Sequence, residues 1–370
     1  MQEVGNNDKK KKSVKGSKQK KNADKDNKVK TSNIKGSKQN NNADKENKQK
    51  NLGGGIKGSK QKENAKKANK QKVSAVKDET PSSVRCSPSI LYTTEDSFYT
   101  RNRVMAIDTS ENPPKLFDEM QIMDTNDVFS SLLSVEMRAS LVNFDKTVNI
   151  DPEGIDIASD GGFWLVHEGA GSFNNLKDPI ESPNVLLKLS NDAVIEQAIF
   201  LPAELNAVQF ESGFSGVAEW DTYAVVAFQR AWNNETYPRI GMYNTEDETW
   251  SFRFYPLDTP ESQNGGWVGL ADITSVDFGK FLVLERDDQG GPDAAIKRIY
   301  SIDLTETDQE LGLLSKQLYK DLYSTLASAT NGPVVEKVDG MAVDGSGNLW
   351  IVNGNDGVDN NSGETLLLQV

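Results

Sequence analysis

One passage recurs four times, and this recurrence limits what the chain can fold into more than any other feature. Residues 151–168 read Asp-Pro-Glu-Gly-Ile-Asp-Ile-Ala-Ser-Asp-Gly-Gly-Phe-Trp-Leu-Val-His-Glu, and related stretches follow at 214–229, 268–285 and 338–353. Each copy holds a glycine, a short apolar strand, a turn, a second apolar strand and a closing polar residue. Aligned on Gly154, Gly216, Gly269 and Gly340, the copies lie 62, 53 and 71 residues apart. Hairpin-sized units repeating about every fifty residues predict an all-β fold, a β-propeller of about five to six blades. Inner strands of such a fold converge on one axis. Polar residues at matching places in each copy are therefore expected to meet.

Charge divides the chain. Residues 1–80 hold 24 Lys against 9 Asp or Glu, and the remainder holds 18 Lys or Arg against 46 Asp or Glu. The first segment is therefore +15 and the rest −28. The basic segment has no aromatic residue, so it lacks the apolar area that offsets backbone ordering at about 1–2 kcal/mol per residue. It repeats Lys-Gly-Ser-Lys-Gln at Lys15, Lys35 and Lys57. A disordered Lys/Asn-rich tail over 1–80 is expected, followed by a linker over 81–88 and the propeller over 89–370. The tail reads as a solvating extension or as an arm that contacts polyanions. No stretch approaches the ~18 apolar residues that would span a bilayer, and no apolar run after Met1 reads as a secretory signal. Cys86 and His167 are single examples of their type. Cysteine-based and multi-histidine metal sites are thereby excluded.

Short apolar runs bounded by Gly, Asn and Asp read as strands near 154–158, 163–167, 185–189 and 195–201, and again near 215–220, 223–228, 239–243 and 250–255. Further strands are expected near 268–272, 280–284 and 298–303, and near 340–343, 349–353 and 365–370. Leu311, Leu314, Leu318, Leu322 and Leu326 fall at helical spacing and predict an amphipathic helix within 308–328. The runs at 89–96, 103–108 and 116–122 read as the later strands of a blade whose glycine-containing inner strand is missing. Two closures stay open, an exchange between chain ends or an incomplete propeller. The second is the expectation.

Asp151-Pro-Glu-Gly-Ile-Asp, Phe163-Trp-Leu-Val-His-Glu, Phe281-Leu-Val-Leu-Glu-Arg-Asp, Lys297-Arg-Ile-Tyr-Ser-Ile-Asp, Lys337-Val-Asp-Gly-Met-Ala and Val352-Asn-Gly-Asn-Asp-Gly come in an order that resembles the phytase-like family, also described as having esterase-like activity of phytase. The likeness runs from about Ser89 to Val370. It implies a propeller that hydrolyses phosphoric or carboxylic esters, calcium as the cofactor, and export to the extracellular side. The expected partner is a phosphorylated or other ester small molecule, and the expected state is a monomer.

Ester hydrolysis without histidine or cysteine clusters leaves carboxylates, arginines and a hard cation as tools. Glu153, Glu168, Glu285, Asp339, Asn353 and Asp356 hold matching places in the copies and are the expected Ca2+ ligands, since calcium takes oxygen donors. Glu153, Glu168, Glu285 and Arg286 form the expected catalytic set. Arg230 and Arg286, each just past a second strand, are expected to hold the substrate by forked hydrogen bonds. The competing structural reading has these acids capping turns or pairing with arginines of the next blade, His167 as a core residue, and Trp164, Trp267 and Trp350 as packing between blades. No Gly-Xaa-Ser-Xaa-Gly elbow supports a serine esterase. Two other functions stay open: a lactonase-like propeller hydrolase, and a non-catalytic propeller scaffold with a basic tethering arm.

Overall fold

The computed structural model describes residues 89–94, 101–306, 312–354 and 365–370. The Lys-rich tail, the 81–88 linker with Cys86, Leu311 and Asp356 lie outside the described residues. The chain divides after Asp78, and Glu79–Val370 forms one unit. Among the described residues, eighteen strands build five antiparallel sheets.

The first sheet holds β1 (Ile90–Thr94), β2 (Arg103–Asp108) and β3 (Lys115–Gln121). The second holds β4 (Pro152–Ile157), β5 (Phe163–His167), β6 (Val185–Leu189) and β7 (Ile195–Phe200). The third holds β8 (Phe214–Trp220), β9 (Tyr223–Phe228), β10 (Arg239–Asn244) and β11 (Thr249–Phe254). The fourth holds β12 (Val268–Asp277), β13 (Lys280–Asp287), β14 (Lys297–Asp303) and β15 (Lys316–Asp321). The fifth holds β16 (Val338–Val343), β17 (Leu349–Asn353) and β18 (Leu367–Gln369). This is a five-bladed β-propeller, with three strands in its first and last blades among the described residues. Short helices α1 (Val135–Leu141), α2 (Ala203–Asn206) and α3 (Tyr323–Ala329) lie between strands.

The central residues of the second strands β5, β9, β13 and β17 are apolar because both faces of those strands are covered. In β5, Phe163 and Leu165 join Val104 and Ile122 of the first blade. The alternate residues Trp164 and Val166 join Phe214, Val226 and Phe228 of the third. In β13, Phe281 and Val283 meet Val225 and Ile240 of the third blade, while Leu282 and Leu284 meet Met341 and Ile351 of the fifth. Side chains on a strand point alternately to opposite faces. Odd and even residues of these strands therefore serve different neighbours.

The inner strands nearly touch. A Cβ on Gly154 would lie 2.6 Å from the Gly216 Cα, and one on Gly216 would lie 2.8 Å from the Asp272 Cα. The repeated glycine is thus a consequence of convergence at the axis. Register corrects one sequence alignment. A bulge precedes Gly154, Gly216 and Gly340, which pair with Val166, Ala227 and Val352. The matching bulge in the fourth blade precedes Asp272, paired with Leu284. Asp272, and not Gly269, is the fourth member of the set.

The leucine stripe also resolves differently. Lys316–Asp321 is the outer strand β15, with Leu318 exposed, and helix α3 begins only at Tyr323. Leu314 is buried against the third and fourth blades, while Leu322 and Leu326 pack toward the fifth. Three separate environments thus share one helical spacing by coincidence of strand and helix periods.

Candidate functional site

The mouth of the second blade gathers three carboxylates. Asp151 precedes β4, Glu153 lies on it, and Glu168 follows β5. One oxygen from each of the three lies within 4.8 Å of the others, and all three residues are half-buried. The hairpin fixes them. The Glu168 N–H donates to the Asp151 carbonyl at 2.8 Å, and the Asp151 N–H donates to His167 Nδ1 at 2.9 Å. Glu168 Oε1 accepts the Gly213 N–H at 2.6 Å, which ties the cluster to the start of the third blade. His167 is buried, and burial holds its pKa down at about 4, so the imidazole is neutral and serves as an acceptor for the hairpin. Such a donor set of hard oxygens fits calcium, whose ligands sit about 2.3–2.6 Å from the ion. The cluster can therefore hold a metal ion.

Glu153, Asp272, Asp339 and Asn353 line one cleft of about 870 Å³ that lies between β1, β4 and β16. Glu153 is common to this cleft and to the acidic cluster. Asp339, on β16, accepts Arg286 Nε at 2.9 Å and Nη2 at 2.8 Å on one carboxylate oxygen. Trp267 carries guanidinium groups over its ring, with Arg230 at 5.1 Å and Arg286 at 5.6 Å from the centroid. Arg230 makes no ion pair among the described residues. Asn353 Oδ1 accepts the Leu366 N–H at 2.5 Å, which joins the ends of β17 and β18.

Glu285 does not join this group. It is fully buried on the third-blade side of β13, accepting from Tyr255 Oη at 2.8 Å, Lys316 Nζ at 2.7 Å and the Asp258 N–H at 2.5 Å. Asp258 in turn takes Lys316, Arg298 and Tyr300. Burial raises the Glu285 pKa, opposed by Lys316, and burial with the adjoining Glu285 charge raises Tyr255. Parity explains the placement. Val166, Ala227, Leu284 and Val352 share one register position, so Glu285 matches His167 and Asn353, whereas Arg286 matches Glu168. A slip of one residue moves a side chain to the other face. Asp356 lies outside the described residues.

Sequence reasoning missed Asp151, Asp156 and Asp272. Asp156 Oδ2 accepts the Glu219 N–H of β8 at 2.7 Å, and Asp272 Oδ2 accepts the Met341 N–H of β16 at 2.7 Å. Each carboxyl stitches one inner strand to the next. Burial pushes the Asp156 pKa to about 7, assisted by Glu219. Burial, then the charges of Asp156 and Asp339, lifts Asp272 well above the carboxylate range. The signal was in the sequence, since Asp272 is the one non-glycine in an otherwise glycine position.

The description "Phytase-like: Esterase-like activity of phytase" matches residues 60–357, and the chain belongs to this family. Comparison with curated proteins gives no match. Among solved structures, a protein from Lactobacillus plantarum is similar at TM-score 0.34 and 12% identity, covering 76% of this chain and 67% of its own. A mutant beta-fructofuranosidase of Bombyx mori in complex with sucrose is similar at TM-score 0.35 and 12% identity, covering 71% and 51%. A Synechocystis ACO mutant is similar at TM-score 0.33 and 9% identity, covering 77% and 79%. Likeness at this level carries no argument about chemistry.

Proposed function

We propose that this member of the phytase-like family is a hydrolase of phosphoric or carboxylic esters whose centre is a calcium ion held by Asp151, Glu153 and Glu168. The observation that carries the reading is the approach of three carboxylate oxygens to within 4.8 Å of one another at the mouth of the propeller. Like charges at that separation repel strongly in a half-buried setting, and a divalent cation offsets them. When bound, calcium supplies charge neutralisation for an anionic oxygen and lowers the pKa of a ligated water.

The chain's own residues divide the remaining work. Glu153 touches both the acidic cluster and the cleft, so it is placed to orient a water toward an ester in the cleft. Glu168 spends one oxygen on the Gly213 N–H and is thereby locked in direction. Arg230 stacks over Trp267 and is not among the residues that line the cleft, so it is given no part in holding a substrate there. Asp272 lines the cleft, but both of its oxygens accept backbone N–H groups, from Ile273 and Met341, so its role is structural.

The cleft itself favours one branch of this reading. Its lining includes Leu91, Ile107, Ile155, Met341, Trp350 and Leu366, and its one basic lining residue, Arg103, is paired with Glu119 at 2.6 Å. Such walls suit a carboxylic ester or lactone with an apolar body better than a polyanion. Hydrolysis of 4-nitrophenyl phosphate, 4-nitrophenyl butyrate and a lactone panel, each with calcium and with chelator, tests the proposal. Calcium-dependent turnover of any one, reduced at least tenfold in Glu153→Gln, is expected. Absence of turnover of all three with calcium present would leave the chain a binding scaffold and overturn the hydrolase reading.

A further inference from the structure

One arginine of the folded unit stands apart from the others. Residues 81–370 hold 18 Lys or Arg against 46 Asp or Glu, so a basic side chain there rarely lacks an acid. Arg101, Arg103, Arg138, Arg239, Arg286 and Arg298 each pair with a carboxylate. Arg253 donates Nη1 to the Phe252 carbonyl at 3.1 Å. Arg230 makes neither kind of contact among the described residues, although it is half-buried. Its guanidinium lies over the Trp267 ring. That contact is made by charge and leaves the forked N–H donors open.

The strands fix this arrangement. Just past β9 the Gln229 N–H donates to the Gly213 carbonyl at 2.7 Å, and the Gln229 carbonyl accepts the Leu270 N–H of β12 at 2.9 Å. The backbone is therefore pinned between the third and fourth blades immediately before Arg230. Trp267 stands just ahead of β12. Its N–H donates to Asp288 Oδ1 at 2.8 Å, and its carbonyl accepts the Asp288 N–H at 3.2 Å. A Cβ on Gly269 would lie 2.8 Å from Trp267 Cζ3, 2.8 Å from the Gln229 carbonyl oxygen and 3.2 Å from Gln229 Cγ. Gly269 thus has a reason of its own, because a residue without a side chain lets the ring rest against the end of β9. The ring is a fixed shelf. Its Nε1–H and the Gln229 side-chain amide find no partner among the described residues.

Charge around the ring is uneven. Arg286 shares Trp267, at 5.6 Å from the centroid, but Asp339 offsets its charge at 2.8 Å. The nearby Asp288 has Oδ1 occupied by the Trp267 N–H and by Gln289 Nε2. Two cations about one ring repel, and an anion beside Arg230 would relieve that repulsion. We propose that Arg230, Trp267 Nε1 and the Gln229 amide form a binding site for the oxyanion of a small molecule. The group it takes is a phosphate or a carboxylate, since both present paired oxygens that match a guanidinium fork. A guanidinium already held on a fixed ring loses little side-chain freedom on binding. The lining of the cleft includes none of these three residues, and the site adjoins it only through the Arg286–Asp339 pair. The proposal is independent of the hydrolase reading.

Nuclear magnetic resonance on the full chain tests it. Inorganic phosphate and acetate are each titrated, with chelator present and at fixed ionic strength. The Trp267 indole N–H resonance, assigned through Trp267→Phe, is followed. A saturable shift with at least one of the two anions, absent with chloride, is expected, and the anion that responds identifies the group. Arg230→Gln should weaken that binding by about tenfold or more, because a charge-assisted hydrogen bond is lost. Arg230→Lys keeps the charge but loses the fork, and its affinity should fall between. Neither variant removes a hydrogen bond or ion pair among the described residues, so both should unfold at the parent's temperature. No shift with either anion, or a shift that persists in Arg230→Gln, overturns the proposal. Full affinity in Arg230→Lys overturns recognition by the fork. Chelator removes calcium, so the result does not depend on the metal centre, and a chain that hydrolyses no ester would leave it standing.

Discussion

Replacing Glu285 with glutamine separates the two faces of β13. The carboxylate is fully buried and accepts from Tyr255, Lys316 and the Asp258 N–H. Removing its charge leaves Lys316 with Asp258 alone, at 2.8 Å, and sets an amide N–H₂ among groups that need an acceptor. Breaking one side of a buried pair costs about 3–5 kcal/mol. The surviving Asp258 contact places Glu285→Gln near the lower end, at about 3 kcal/mol. For a domain of this size that is a fall of roughly 6 °C or more in Tm. Glu168→Gln is the mirror image. Its half-buried carboxylate should cost about 1 kcal/mol or less in stability, yet it should abolish the rise in Tm that calcium produces in the parent. Thermal unfolding of the parent and both variants, each with calcium and with chelator, reads both effects. If Glu285→Gln loses the calcium shift at unchanged chelated Tm, the parity argument is refuted, and Glu285 belongs with the metal.

Gly154→Ala places a Cβ within 2.6 Å of the Gly216 backbone, and should cost at least about 2 kcal/mol by urea unfolding. Lys297→Met strands the buried Asp287 carboxylate, and also removes the donor to the carbonyls of Asp287, Gln289 and Glu336. A loss of about 3–5 kcal/mol is expected in the same assay. Asp156 has a folded pKa of about 7 against an ordinary 3.8, so its contribution is complete below about pH 4 and is lost as pH rises through 7. At roughly 1.4 kcal/mol per pK unit as an upper bound, Asp156→Asn should remove about 1–3 kcal/mol of the parent's decline between pH 4 and pH 8, measured by denaturant midpoints.

The middle blades were legible because their strands are short apolar runs closed by Gly-Asp turns, and β5 to β11 lie where that pattern places them. The recurrence also located the mouth, bringing Glu153, Asp339 and Asn353 to one cleft and Glu153 with Glu168 to one cluster. Two things stayed hidden for a common reason. A β-bulge shifts side-chain parity without changing composition, so Gly269 stood in for Asp272, and Glu285 stood in for the place that Arg286 holds. The outer strand β15 was obscured by leucines whose spacing suits a helix but whose neighbours are three different layers. Asp151 was quoted in the motif but passed over, because its role depends on the Glu168 N–H that folds back onto its carbonyl.

The most direct test is calorimetric titration of calcium into the chelator-treated full chain, beside the double variant Glu153→Gln with Glu168→Gln. The account predicts one saturable site in the parent that disappears in the double variant while both proteins keep the same β-sheet circular dichroism. A parent that binds no calcium, or a folded double variant that binds it as tightly as the parent, would contradict the assignment of Asp151, Glu153 and Glu168 as the metal centre.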